Sequence, residues 1–256
     1  MTDKIDTAEF VNVLIKMADA TLKCGAEIYR TEDTLHRIAY AYGAEEIDVF
    51  AITSNIWLTV KMPGEDAFSQ SKRFQTFGTH DFVKLERLNA LSRKVCAEQT
   101  DLKEFEHEID VILKPDDNKQ AQMMGSVLAT CGFALFFDGS AAEALIAGLI
   151  GILVYLLQIY LAPICLNRMF LQLAVSFVTG IVACITVRII PGVHMDRIMV
   201  GVIMLLIPGI MFTNSMRDML LGDTLSGSLR LIEAMLLAML LTLGLLAAIM
   251  IMNYIW

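Results

Sequence analysis

The second half of this sequence has very few charged residues. Residues 1–120 contain 15 Lys and Arg and 22 Asp and Glu, whereas residues 121–256 contain only 5 and 6. The whole chain is 56% hydrophobic and has a mean hydropathy of +0.59, which lies above the range of ordinary soluble domains. This contrast predicts a polar part, residues 1–118, followed by a membrane part, residues 119–256.

Several signatures of other protein classes are also missing. The first 20 residues lack the apolar core and the cleavage site of a signal peptide, so we expect the polar part to stay in the cytoplasm. The acidic excess of the polar part argues against a nucleic-acid surface. No G-x-x-x-x-G-K-[ST] phosphate loop occurs, and "EFEHEID" lacks the histidine pair of a zinc helix. We therefore predict that the chain is not an enzyme and has no cofactor and no metal ion.

Five stretches of the second half are apolar enough to cross a membrane, since a helical span needs about 20 mainly apolar residues. They cover approximately residues 121–137, 142–162, 169–190, 198–216 and 229–255. Five Lys or Arg near their inner ends against two near their outer ends favour a cytoplasmic N-terminus. The pattern predicts an α-helical protein of the inner (plasma) membrane, with about five transmembrane helices preceded by a cytoplasmic α+β domain.

The polar part alternates helical and extended patterns. Residues 7–23 and 31–42 have the apolar spacing of helices, and charged amphipathic helices are predicted at 81–98 and 101–113. The stretch "EIDVFAITSNIWLTVKM" is typical of two strands around a turn at Ser54-Asn55, and "RFQTFGT" fits a third strand. These elements are the basis of the α+β prediction.

A group of acids in this part has two interpretations. Glu27, Glu32 and Asp33 lie beside Thr31, where they fit either a polar site or the start of a helix, whose positive end favours acids. We favour the helix start.

The predicted third and fourth spans depart from plain lipid-facing helices. Gln172 and Thr179 fall on one face of the third span, which fits either interhelical hydrogen bonds or the wall of a substrate pathway. Pro208 and Gly209 lie near the middle of the fourth span and predict a helix break there. Such breaks are tolerated in a membrane where they line a cavity or are buried in protein.

The segment "PGIMFTNSMRDMLLGDTLSGSLRLIEA", residues 208–234, carries polar and charged groups that a lipid-facing helix avoids. They are Asn214, Arg217, Asp218, Asp223, Arg230 and Glu233. A solvated loop would explain the charges but not the Met and Leu residues that lie among them. Because charges at membrane depth must be paired or hydrated, the segment predicts a substrate or ion pathway near the cytoplasmic mouth.

This segment resembles the threonine/serine exporter family. Its members carry a motif of the form PG-x-x-x-x-N-x-x-R-D-x-x-x-GD-x-x-SG-x-x-R-x-x-EA, which here runs from Pro208-Gly209 to Glu233-Ala234. The stretch "CGAEIYRTEDTLHRIAYAYG", residues 24–43, is similar to the family's first-domain pattern. The resemblance extends over nearly the whole chain.

The resemblance implies a secondary exporter of small polar metabolites such as threonine or serine. Some split relatives are linked to export of dicarboxylates such as succinate, which leaves the substrate open. Because other relatives contain two five-span halves, this chain resembles the longer subunit of a split system. A second, smaller membrane subunit would supply the inverted half, and a homo-oligomer is also compatible. A membrane-anchored sensor or enzyme is the alternative from another class.

Proton antiport is our mechanistic hypothesis for such an exporter. Asp218, Asp223 and Glu233 would then bind a proton or the substrate's amine. Arg217 and Arg230 would bind its carboxylate.

Overall fold

The computed structural model describes most of the chain, namely residues 6–52, 54–74, 81–114, 118–165 and 167–255. The chain is mostly helical and divides into two compact units. Unit 1 consists of Met1–Asp116 and Thr213–Arg230, and unit 2 consists of Asp117–Phe212 and Leu231–Trp256. Most of the charged segment near the end of the sequence therefore belongs to the same compact unit as the N-terminal residues.

The N-terminal part of unit 1 combines helices with a three-stranded antiparallel sheet in the order β1-β2-β3. Its described elements are α1 (Thr7–Lys23), α2 (Ile28–Ala41), β1 (Glu46–Ile52), β2 (Asn55–Lys61), β3 (Phe68–Arg73), α3 (Phe82–Glu98) and α4 (Leu102–Leu113). In the register of the sheet, Ala51 of β1 is opposite Ile56 of β2. Among the described residues, β1 has a strand neighbour on one side only, so it is an edge strand.

Helix α1 lies at the centre of the apolar core of unit 1. It packs against the three other N-terminal helices and against β2 and β3. Phe10, Leu14 and Met17 of α1 are fully buried, as are Phe105 and Ile109 of α4. Buried and exposed residues alternate along β1 and β2, which is the period of strands with one buried face. That face and the helices share a single core.

Several elements of unit 1 coincide with the predicted ones. Helix α1 matches the prediction at 7–23, whereas α2 begins earlier than the predicted residue 31. The reason is that Gly25, with φ of +93°, ends the first helix and the extended Glu27 starts the next one directly. The strand predicted from "RFQTFGT", residues 73–79, falls largely outside the described residues, and β3 ends at its first residue, Arg73. The boundary at residue 118 stays a prediction, since residues 115–117 also lie outside them.

The remaining elements are helices joined by short connections. They are α5 (Lys119–Phe136), α6 (Ala141–Leu161), α7 (Arg168–Ile189), α8 (Met195–Leu206), α9 (Gly209–Leu220) and α10 (Thr224–Ile255). Helices α5 to α8 belong to unit 2, while α9 and α10 contribute residues to both units.

Three helices of the described residues, α6, α7 and α10, are long and apolar enough to cross a membrane. Helices α8 and α9 together form a fourth candidate span, which is bent by 52° at a short break. The chain is thus a multi-pass helical membrane protein with three or four such spans, and the predicted count of five is not confirmed. Helix α5, predicted as the first span, begins with the polar residues Lys119, Gln120 and Gln122, which shorten its apolar part.

Small residues allow the helices of unit 2 to approach closely. A Cβ atom on Gly244 of α10 would lie 2.0 Å from Ser176 Oγ of α7. A Cβ atom on Gly148 of α6 would lie 2.5 Å from Cys131 Sγ of α5. Close contact through small residues is typical of helix packing in membranes, and α5 takes part in it.

Candidate functional site

The helix that contains the fourth predicted span is interrupted at Pro208. Helix α8 ends at Leu206 and α9 begins at Gly209, with a bend of 52° between them. Proline has no N–H to donate, and its ring clashes with the preceding turn, which accounts for the interruption. Beyond it, the Phe212 N–H donates to the Pro208 carbonyl at 3.1 Å, so the second helix starts at once.

Gln172 of α7 makes a hydrogen bond to the helix end at this break. Its Nε2 atom donates to the carbonyl of Leu206, the last residue of α8, at 2.9 Å. The side chain therefore makes an interhelical hydrogen bond, one of its two predicted uses. Thr179 on the same helix is fully buried, and its Oγ1 has no hydrogen-bond partner among the described residues.

A tight turn lets the start of α10 lie against the end of α9. Gly222 has φ of +105°, in the left-handed region that glycine adopts without strain. A Cβ atom on Gly227 would lie 2.5 Å from Met219 Cγ and 2.7 Å from the Ser215 carbonyl oxygen. Both positions therefore require glycine if the two helices are to form this hairpin.

The hairpin brings together two buried groups of opposite charge. Arg230 Nη1 donates to Asp218 Oδ2 at 3.1 Å, and the two side chains are only 7% and 0% exposed. Burying ions costs several kcal/mol each, so such a pair is stable only when both partners are present. The second carboxylate oxygen, Asp218 Oδ1, is buried without a hydrogen-bond partner among the described residues. Arg230 Nη2 also reaches the Ala26 carbonyl oxygen, just before α2, at 3.5 Å.

The second arginine of the segment pairs with the N-terminal residues. Arg217, which is largely exposed, forms an ion pair with the mostly buried Glu27. Glu27 occupies the N-cap position of α2, but its side chain makes no capping hydrogen bond. Glu27 thus lies at a helix start, as the sequence favoured, and its carboxylate also pairs with Arg217.

A further acid of α2 contacts the edge strand. Glu32 Oε1 accepts a hydrogen bond from the Ala51 N–H at 2.8 Å. The Ala51 carbonyl in turn accepts from Ser226 Oγ, in the first turn of α10, at 3.4 Å. Because β1 is an edge strand, both main-chain groups of Ala51 are satisfied by side chains rather than by another strand. Ala51 thereby links Glu32 to the start of α10, directly after Asp223.

The environment of Glu32 favours its protonated form. Burial raises the pKa of Glu32 to about 7, although the hydrogen bond from Ala51 opposes this shift. The negative charges of Asp223 and Asp48 raise it further. Burial also raises the pKa of Asp223, and its Oδ2 atom is buried without a hydrogen-bond partner among the described residues. Neither Glu32 nor Asp223 forms an ion pair within the described part of the chain.

Six ionisable side chains of unit 1 form what we call the charge cluster. They are Glu27, Glu32, Arg217, Asp218, Asp223 and Arg230. Four acids face two bases, so the fully ionised cluster has an excess of negative charge. Within the described ranges, no three His, Cys, Asp or Glu side chains are placed to hold a metal ion. The exposed guanidinium of Arg217 suits a carboxylate. The unpartnered carboxylate oxygens suit a cation that carries N–H or O–H donors.

Four of the eight predicted pathway residues belong to the charge cluster. Asn214 lies half-buried on α9, and Glu233 lies half-buried in unit 2, where it forms no ion pair among the described residues. Gln172 and Thr179 also belong to unit 2. For Glu27 and Glu32 the sequence offered a polar site or a helix start, and the helix start was favoured.

The long apolar helices and the broken helix are those of a multi-pass membrane protein. A comparison with known protein families matches residues 12–252 to the family described as "Putative threonine/serine exporter". The match covers nearly the whole chain, which therefore belongs to this family of membrane transporters. Comparisons with curated proteins and with solved structures gave no match.

Proposed function

We propose that this chain is a subunit of a secondary transporter that exports small zwitterionic amino acids such as threonine and serine. The charge cluster is the observation that carries the proposal beyond the family. A zwitterion needs a cationic partner for its carboxylate and acidic partners for its ammonium group. The cluster offers both, since Arg217 is exposed while Asp218 and Asp223 each have a buried oxygen without a hydrogen bond among the described residues.

The same cluster disfavours a dicarboxylate such as succinate as the main substrate. A dianion would approach four carboxylates and only two guanidinium groups. Like charges at short range raise the energy of the bound state, and the cluster holds no cation beyond these two arginines that would offset the second negative charge.

An efflux assay tests this proposal. Cells that express the full chain, with and without a smaller partner subunit, are loaded with labelled threonine, serine or succinate. We expect faster efflux of the two amino acids than from cells without the protein. Arg217→Gln should reduce this efflux, whereas Arg37→Gln, which also removes one exposed and paired arginine of unit 1, should not. Equal efflux with and without the protein for every compound would remove the exporter proposal.

The proposal includes five membrane spans, with α5 as the first. Helix α5 has 18 residues and packs closely on α6 through Gly148. A cytoplasmic α+β domain precedes α5, so five spans would end on the outer side of the membrane. A second half that starts there would cross the membrane in the opposite orientation and so have inverted topology. A smaller membrane subunit is the proposed source of that half. Self-association of the chain is the alternative arrangement.

Cysteine labelling tests this topology in the inner membrane. A cysteine at Ser140, between α5 and α6, should react with an impermeant reagent from outside. A cysteine at Asn167, between α6 and α7, should react only from the cytoplasmic side. The reverse pattern would overturn the cytoplasmic placement of the N-terminal domain.

Proton antiport is the proposed source of energy. The cluster contains acids in environments that favour protonation, and a proton that enters can balance the ammonium group that leaves. Export driven by an imposed pH gradient in energy-depleted cells would support this coupling, and export insensitive to that gradient would contradict it.

A further inference from the structure

Two acids of the charge cluster have no cationic partner. The guanidinium groups of Arg217 and Arg230 pair with Glu27 and Asp218. Glu32 and Asp223 form no ion pair among the described residues. Half-buried carboxylates without a positive partner are costly to keep ionised, so a cation that reaches them is bound favourably.

The position of Glu32 is fixed by the main chain. Its Oε1 atom accepts from the Ala51 N–H at 2.8 Å, and Ser226 Oγ donates to the Ala51 carbonyl. Asp223 lies three residues before Ser226, at the end of the α9–α10 turn. Burial raises the pKa of Glu32, the hydrogen bond from the Ala51 N–H lowers it, and the negative charges of Asp223 and Asp48 raise it. An acid pair from two distant parts of the sequence is thus held at the sheet edge.

Unsatisfied acceptors lie beside this pair. Asp218 is fully buried, and its Oδ1 atom has no hydrogen-bond partner among the described residues. Asp223 Oδ2 is also buried without a hydrogen-bond partner among the described residues. Asp218 is surrounded by the charges of Arg230, Asp223, Glu27 and Arg217. Buried polar atoms are normally hydrogen-bonded, so these two oxygens are acceptors that a ligand with N–H or O–H donors can satisfy.

We infer that Glu32 and Asp223 form the cation subsite of the exporter, which holds in turn a proton and the ammonium group of the transported amino acid. This inference rests on the proposed function and adds the N-terminal Glu32 to the transport site. In the exchange, the carboxylic O–H bond of Glu32 breaks and its proton goes to water. The carboxylate then accepts from the substrate's N–H donors. No electron is transferred, and the charge of the subsite stays the same.

A subsite that holds either a proton or an ammonium group, but not both, exchanges one for the other, as an antiporter does. Either cation neutralises one carboxylate of the pair, and the presence of one lowers the affinity for the other. Because Glu32 is half protonated near neutral pH, both states are accessible at the pH of a cytoplasm.

Proton release on substrate binding tests the inference. The full chain in lipid nanodiscs is mixed with L-threonine in weakly buffered solution that contains a pH indicator. At a pH close to 7, binding should release about 0.5 proton per threonine, since about half of the Glu32 side chains are protonated. The apparent affinity for threonine should be about tenfold lower near pH 6 than near pH 8. Succinate, which has no ammonium group, should release no proton.

The Glu32→Gln variant tests whether the titration of Glu32, rather than its hydrogen bond, is responsible for the proton release. The amide oxygen can still accept from the Ala51 N–H, so the local fold is kept, while the titrating group is lost. We expect no proton release and a threonine affinity that does not vary between pH 6 and pH 8. Asp33→Asn, on the same helix and paired with Arg37, is the matched control and should behave as the unmodified protein. Asp223→Asn is the second test variant, should Glu32→Gln fail to fold.

The outcomes separate the inference from the proposed function. If the unmodified protein exports threonine and Glu32→Gln keeps its proton release and pH dependence, the inference is wrong and the exporter proposal stands. If the unmodified protein neither binds nor exports threonine, the proposed function fails and the inference fails with it. Loss of proton release in Glu32→Gln, with Asp33→Asn unaffected, supports both.

Discussion

Arg230 and Asp218 pair across the α9–α10 hairpin, with 3.1 Å between Nη1 and Oδ2 and almost no exposure of either side chain. The pair belongs to the same compact unit as Ala26, whose carbonyl oxygen lies 3.5 Å from Arg230 Nη2. A segment that the sequence places between two membrane helices therefore contacts the N-terminal residues of unit 1 through the buried Arg230.

The buried pair predicts a strong penalty for removing one partner. Asp218→Asn or Arg230→Gln leaves one buried charge uncompensated, which costs about 3–5 kcal/mol. Each single change should therefore reduce the amount of folded protein and abolish efflux. The double change removes both charges and should recover much of the folded protein without recovering efflux. Yields are measured by size-exclusion chromatography of the detergent-extracted protein, and normal yields for both single variants would contradict the buried pair.

The raised pKa of Glu32 predicts how stability depends on pH. The pKa of this acid is about 7 in the folded chain and ordinarily 4.5. Between these values the folded state binds more protons than the unfolded state, so the free energy of unfolding falls as pH rises from about 4.5 to 7 and levels off above. Glu32→Gln should flatten this part of the profile. Thermal unfolding of both proteins across this range provides the measurement, and identical slopes would show that Glu32 titrates normally.

The break at Pro208 predicts opposite effects on helix stability and transport. Pro208→Ala should favour a continuous helix, because proline disfavours a helix interior by about 3 kcal/mol. A continuous helix would also change the geometry at the Leu206 carbonyl, which accepts the hydrogen bond from Gln172. We expect higher thermal stability and slower efflux. Pro191→Ala, in the connection between α7 and α8, is the control. Unchanged efflux by Pro208→Ala would make the break incidental to transport.

The close approach at Gly227 predicts a steric effect. In Gly227→Ala the new Cβ atom would lie 2.5 Å from Met219 Cγ and 2.7 Å from the Ser215 carbonyl oxygen. The side chain can move but the carbonyl cannot move freely, so we expect a loss of about 1–3 kcal/mol. Gly125→Ala on α5, where a Cβ atom has nothing within 4 Å, should be neutral or slightly stabilising. Equal melting temperatures for the two variants would contradict the packing of this hairpin.

The sequence predicts local features better than distant contacts. Apolar spacing correctly places α1 and the long apolar helices, because period and length are visible in a single stretch of chain. The pairing of Arg217 with Glu27 joins residues 190 positions apart, and no local pattern records it. Glu32 was equally ambiguous, since acids at a helix start and acids at a polar site have the same sequence appearance. Only the fold brings these acids to the start of α10.

The same limit applies to the polar residues of α7. Spacing alone places Gln172 and Thr179 on one face, but it cannot tell a pathway wall from a structural hydrogen bond. The hydrogen bond of Gln172 reaches the Leu206 carbonyl at the end of α8, 34 positions further along the chain, and no local pattern records that contact.

The edge strand β1 has a consequence for aggregation. Exposed strand edges are templates on which other chains can pair, and proteins protect them by covering or charging them. At Ala51 the N–H is occupied by Glu32 and the carbonyl by Ser226, so no foreign strand can bond there. If the first turn of α10 is removed or misfolds, this carbonyl becomes available to a neighbouring molecule. Truncated chains that end before residue 224 should therefore self-associate through the sheet more readily than the full chain does.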